Sequence, residues 1–118
     1  MNSKLSIIIP AYNEERRIRT TLDDYARVFD GKDTEMWIII NNTTDRTPEI
    51  VAEYTVRFPW IHAVNIPNRI GKGGAVLEGF KRAQGEVIGF VDADHSTSAE
   101  EYLRLYSLIE NHDGVIAS

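Results

Sequence analysis

The sequence predicts an α/β fold: an open, doubly wound, mostly parallel sheet. Three observations predict it. Short apolar runs at Leu5–Ile9, Trp37–Ile40, Ile61–Ile66 and Val87–Val91 alternate with stretches whose apolar residues recur at helical spacing. Several of these runs are nearly continuous rather than alternating, the pattern of strands covered by helices on both faces. Polar residues gather directly after each run, and right-handed crossovers would bring all those positions to one rim of the sheet.

Each element has its own signal. Leu5–Ile9 is rich in isoleucine and stopped by Pro10. From Glu14 onward, Ile18, Leu22, Tyr25, Ala26 and Phe29 form one stripe of a helix, with Asn13 as its expected cap and Glu14 and Glu15 at its positive end. Gly31 to Asp33 makes the turn into Trp37–Ile40. Thr47 reads as the next cap, with Pro48 in the first helical position and Ile50, Val51 and Tyr54 on one face. Pro59 ends that helix before Ile61–Ile66. Pro67 to Gly74 reads as a loop, followed by a helix with Ala75, Val76, Gly79, Phe80 and Ala83 inward. After Val87–Val91, Ser98 and Glu101 have the spacing of a capping box. They precede a helix carrying Tyr102, Leu105, Tyr106 and Ile109. Gly114 to Ala117 begins a fifth strand.

The 118 residues are 42% hydrophobic and 26% charged, which supports a single domain spanning 1–118 with one core. The net charge of -5 argues against a general nucleic-acid binder. Arg16, Arg17 and Arg19 cluster, and a solvated helix face explains them best. Cysteine is absent, which removes disulfides and thiolate metal sites and fits a reducing compartment. No apolar run has the ~20 residues a membrane span needs, and the N-terminus reads as a first strand rather than a signal peptide. The expected location is cytoplasmic.

The chemistry concentrates at strand ends. Asp92 and Asp94 follow the fourth run; if extended, alternate residues point the same way, so both carboxylates can face one hard divalent cation such as Mn2+ or Mg2+. A solvated, loop-capping pair is the plainer alternative for so common a motif. Gly71-Lys72-Gly73-Gly74 precedes a helix, where free N–H groups, the dipole and Lys72 favour an anion; an exposed flexible loop is the alternative. His95 adjoins the aspartate pair as a candidate supporting group. His62 and His112 read as structural and solvated.

In order along the chain stand Ile7-Ile8-Ile9-Pro10-Ala11-Tyr12-Asn13-Glu14-Glu15, Asn41-Asn42-Thr43-Thr44-Asp45-Arg46-Thr47, Asn68-Arg69-Ile70-Gly71-Lys72-Gly73-Gly74-Ala75-Val76, and Phe90-Val91-Asp92-Ala93-Asp94. Together they resemble family 2 glycosyltransferases of the GT-A fold, a Rossmann-like sheet. The likeness is greatest to the branch making dolichyl- or polyprenyl-phosphate hexoses. The resemblance implies strand order 3-2-1-4 and roles at matching positions. Pro10, Tyr12, Asn13 and Glu14 would line a nucleotide pocket, and Lys72 would lie by the diphosphate. Asp92 would face ribose and phosphate, and Asp94 the metal. Members usually carry acids where Asn41 and Asn42 stand; Asn41 can still offer a donor and an acceptor to a base edge.

The implied reaction transfers a hexose from a UDP- or GDP-sugar to a lipid phosphate or glycan, with metal and with inversion. No catalytic base is assigned. The family's base and acceptor segments lie beyond the fifth strand, so the chain is expected to be a shortened form, truncated there. That missing region would make any peripheral contact with the inner face of a membrane. An open sheet edge would allow self-association. The rival from another class is a catalytically silent module that binds nucleotide or a protein partner. Asp92-Ala93-Asp94-His95-Ser96 also resembles the nucleophile motif of haloacid dehalogenase phosphatases, but that motif follows a first strand, and this one a fourth.

Overall fold

The computed structural model describes residues 4–112; the expected fifth strand, Gly114 to Ala117, lies outside the described residues. Four strands, β1 (Leu5–Ala11), β2 (Thr34–Asn41), β3 (Ile61–Ile66) and β4 (Val87–Phe90), alternate with α1 (Ile18–Phe29), α2 (Thr47–Arg57), α3 (Gly71–Arg82) and α4 (Ala99–His112). All pairings are parallel and the order is β3-β2-β1-β4, so β1 is central and the direction of winding reverses between β1 and β4. The parallel α/β class and the strand order match expectation.

The two faces of the sheet are dressed unequally. On one, Leu5, Ile7 and Ile9 of β1 and Met36, Ile38 and Ile40 of β2 meet the apolar stripes of α1, α2 and α4. There the rings of Tyr25, Phe29 and Tyr102 pack together with centroids 5.9–6.5 Å apart. On the other face, Ile8 and Ile39 meet Ala75 of α3. α3 rides very close: a Cβ added to Gly79 would stand 2.5 Å from Ile8 Cγ2. That closeness narrows the contact stripe to Ala75 and Gly79, and Phe80, expected inward, is 42% exposed. Leu105 of α4 is equally exposed at 42%, while Tyr102 and Tyr106 are buried.

Several boundaries differ from the sequence expectation. α1 starts at Ile18 instead of Glu14. Glu14 to Arg17 form a turn in which the Arg17 and Ile18 N–H groups both donate to Glu14 O, at 2.9 and 2.8 Å. Asn13 caps no helix; it sits at φ 48 and its side chain is used elsewhere. β2 begins three residues early, at Thr34, and its buried Glu35 accepts from Ser6 Oγ of β1 and from the Gln84 N–H ahead of β4, each at 2.6 Å. Thr47 is the first residue of α2 and not its cap, a place taken by Arg46. Gly71 to Gly74 form the first turn of α3 and not a preceding loop; Gly71, at φ 78, adopts a backbone that other residues rarely reach. The Ser98 half of the capping box is made, with Ser98 Oγ accepting from the Glu101 N–H at 3.1 Å.

Candidate functional site

A parallel sheet puts the C-terminal ends of its strands on one rim, and the winding reversal opens a crevice there. In this chain the crevice is a cleft of about 670 Å³. Its walls come from the end of β1 (Pro10, Ala11, Tyr12, Glu14), the end of β2 (Asn41, Asn42), the start of α3 (Arg69, Gly71, Lys72, Ala75) and the segment after β4 (Asp92, Ala93, Asp94). Of the residues singled out from sequence, Pro10, Tyr12, Glu14, Asn41, Lys72, Asp92 and Asp94 all line it. Asn13 does not.

Asn13 instead joins two rim loops. Its Oδ1 accepts from the Thr44 and Asp45 N–H groups at 2.8 and 3.3 Å. The reverse bonds run from the Asn13, Glu14 and Glu15 N–H groups to Thr43 Oγ1, Thr47 Oγ1 and Asp45 Oδ2, at 3.2, 2.9 and 3.1 Å. The loops after β1 and β2 are therefore one hydrogen-bonded unit. Asn41 is equally committed: its Nδ2 donates to Ile66 O and Asn68 O, and its Oδ1 accepts from the Ile70 and Gly71 N–H groups. The base edge it was expected to read would have to compete with those four bonds.

The aspartate pair lies in a turn at Ala93 and Asp94, not in the extended segment expected. Ala93 is buried, and both carboxylates still reach the cleft on either side of it. Lys72 Nζ stands 2.6 Å from Asp92 Oδ1 and 5.7 Å from the centre of the Phe90 ring. Asp94 is exposed, and its Oδ1 accepts from the Ser96 N–H at 3.0 Å. Among the described residues no third His, Cys, Asp or Glu completes a closed metal cage. Two carboxylates on an open cleft do fit a hard cation that takes its remaining oxygens from a bound ligand.

What holds this turn was not read from sequence. Thr21 Oγ1 donates to Ala93 O at 2.7 Å, and Tyr25 OH donates to Thr97 O at 2.9 Å. Asp24 Oδ2 accepts from the Ala99 N–H at 2.9 Å and meets His95 Nε2 at 2.8 Å. One face of α1 thus pins the whole segment, and His95, at φ 63, points to α1 and is not a cleft residue. Burial alone would raise the Asp24 pKa; hydrogen bonds from Ala99, His95 and Arg27 outweigh it and hold the carboxyl down to about 2. The available signal was Thr21, a polar residue inside the apolar stripe. Arg69 and Asn42 are the polar cleft side chains absent from the expected site. Arg17 and Arg19, by contrast, pair with Glu14 and Glu53 as a solvated face should.

The sequence from residue 6 to residue 118 matches the family model described as Glycosyl transferase family 2. The chain belongs to that family. A dolichyl-phosphate beta-glucosyltransferase of Trichomonas vaginalis is 35% identical over 113 residues, covering 90% of this chain and 34% of that protein. S. aureus TarS 1-349 superposes with a TM-score of 0.79 at 28% identity, over 92% of this chain and 33% of that one. A mannosyltransferase of Pyrobaculum calidifontis, solved with GDP-Man and Mn2+, gives 0.72 at 28% identity, over 80% of this chain and 28% of that one. TarS has also been solved with UDP-GlcNAc. The family 2 chain spans about a third of the length of the first curated relatives it matches.

Proposed function

We propose that the chain is the donor-binding part of a metal-dependent hexosyltransferase, with the cleft taking the nucleoside diphosphate of a UDP- or GDP-sugar. The observation that carries this reading is the meeting of Lys72, Asp92 and Asp94 in one cleft at the winding reversal. Lys72 and the N-terminal turn of α3 offer positive potential to the diphosphate. Pro10, Tyr12 and Glu14 line the opposite wall, where ribose and base would lie, and Tyr12, 58% exposed, offers a ring face. Asp92 and Asp94 would hold Mn2+ or Mg2+, whose chemistry there is neutralising charge on the departing diphosphate. The relative solved with GDP-Man and Mn2+ supports both ligand classes. By family analogy transfer proceeds with inversion, and the acceptor is a polyprenyl or dolichyl phosphate, in line with the dolichyl-phosphate relatives. A glycan is the alternative acceptor.

No helix among the described residues is long and apolar enough to cross a membrane. A cytoplasmic site of action, at the inner membrane face if the acceptor is a lipid, is part of the same proposal. So is self-association along an open sheet edge.

A second reading, nucleotide binding without transfer, is favoured by one observation. Glu14 is the only carboxylate in the cleft besides the aspartate pair, among the described residues, and Arg17 engages its Oε1 at 2.7 Å. That leaves no obvious base to deprotonate an acceptor. Calorimetric titration with UDP and GDP, each with and without Mn2+, tests the shared part of both readings. At least one nucleotide should bind, and more tightly with Mn2+; no binding of either would remove both. Hexose release from UDP-glucose or GDP-mannose then separates them, and the chain alone is expected to turn over poorly.

A further inference from the structure

Asn41 closes β2 and is 6% exposed, with its amide in the cleft wall. A side-chain amide has two N–H donors and one oxygen with two lone pairs. Here all four are used. Nδ2 donates to Ile66 O at 2.9 Å and to Asn68 O at 2.7 Å, and Oδ1 accepts from the Ile70 and Gly71 N–H groups at 3.0 and 3.2 Å. The backbone adds to the grip, since the Asn42 N–H donates to Ile66 O at 3.0 Å.

The gripped segment is the connection from β3 into α3. Its last held residue, Gly71, opens α3 at φ 78, and the next residue is Lys72, whose Nζ lies 2.6 Å from Asp92 Oδ1. A displacement of this connection would move the first turn of α3 and Lys72 with it. We infer that Asn41 is a positioning residue for the diphosphate end of the cleft, setting Lys72 against Asp92, and takes no part in recognising the base. The inference rests on the reading of the cleft as a nucleoside diphosphate site. It also means that the identity of residue 41 does not select uracil over guanine.

Aspartate at this position keeps the size and both acceptor contacts but loses both donors. It sets a negative charge against Ile66 O and Asn68 O, two carbonyls it cannot satisfy. Inorganic pyrophosphate has no base, so it separates the two roles. With Mn2+ present throughout, pyrophosphate, UDP and GDP are titrated into the wild-type chain and into Asn41→Asp. A positioning residue predicts that all three weaken by a common factor, about tenfold, with the ratio of nucleotide to pyrophosphate affinity unchanged. Retained pyrophosphate binding beside weakened UDP or GDP binding would overturn the inference and make Asn41 a base reader.

If Asn41→Asp does not fold, the wild-type chain still decides through its 15N spectrum. Pyrophosphate should move the Ile70 and Gly71 amide signals, while uridine and guanosine leave the Asn41 side-chain NH2 in place. An Asn41 NH2 signal that follows either nucleoside contradicts the inference. A wild-type chain that binds none of the three ligands instead contradicts the nucleotide reading beneath it, a result of a different kind.

Discussion

Lys72 and Asp92 form an ion pair in the cleft although each is accessible to water, with side chains 58% and 38% exposed. Pairs so exposed are worth little, about 0–1 kcal/mol, so a ligand can separate them at small cost. Removing the ammonium as Lys72→Met should therefore do two opposite things. Diphosphate affinity falls about tenfold or more, for loss of a charge-assisted contact. Mn2+ affinity without nucleotide rises by a few-fold at most, as Asp92 is freed. Mn2+ titration followed by electron paramagnetic resonance reads the second effect, and a clear fall in Mn2+ affinity would contradict competition between Lys72 and the ion for Asp92. Gly79 carries a different lesson. A methyl group there would overlap Ile8, so Gly79→Ala should cost about 1–3 kcal/mol in denaturant unfolding. At this scale the sequence showed which residue types matter, but not how their bonds are spent. The carboxylates and lysine were legible because charge at strand ends has few other uses. The saturation of Asn41 was not, because its four partners come from a connection more than twenty residues away.

Among the elements, α1 determines the shape of the aspartate turn. Thr21 is fully buried and its hydroxyl serves Ala93 O, so Thr21→Val should cost about 1–3 kcal/mol by stranding a buried carbonyl. The same variant should weaken Mn2+-dependent binding, whereas Thr21→Ser, which keeps the hydroxyl, should restore most of it. Asp24 makes stability pH-dependent. Its folded pKa, about 2, lies below the ordinary 3.8, so its contribution is complete above about pH 4 and is lost as the pH falls toward 2. The amount is of order 2 kcal/mol. Urea unfolding of the wild type and Asp24→Asn across pH 2–6 should show their stabilities converging at the acid end; parallel curves would mean that Asp24 is not depressed. Helix existence and type were legible throughout from the spacing of apolar residues. Helix starts were legible only for α4, where Ser98 Oγ accepts from the Glu101 N–H. Asn13 and Thr47 look like caps, but both bond across to a neighbouring loop, and tertiary partners outbid the local role.

For the molecule as a whole, the near-continuous isoleucine and valine runs made the parallel sheet legible, and the four ordered motifs pointed to its strand order. The observed order β3-β2-β1-β4 places the reversal between the strand ends that carry Tyr12 and Asp92. Among the described residues three helices cover one face and α3 alone serves the other, a difference that apolar spacing cannot convey because each helix has a similar stripe. The relatives supply the family, and the chain's own geometry supplies the cleft in which the proposed nucleotide-sugar donor would bind. The central proposal is that two aspartates share a divalent ion with a ligand's diphosphate. The most direct test is the Mn2+ dependence of UDP and GDP affinity in the wild type and in Asp94→Ala, measured by calorimetry alongside a thermal melt to show that the variant is folded. Mn2+ should strengthen nucleotide binding at least tenfold in the wild type and leave it unchanged in the variant. An equal Mn2+ effect in both proteins would contradict the assignment of the metal to this pair.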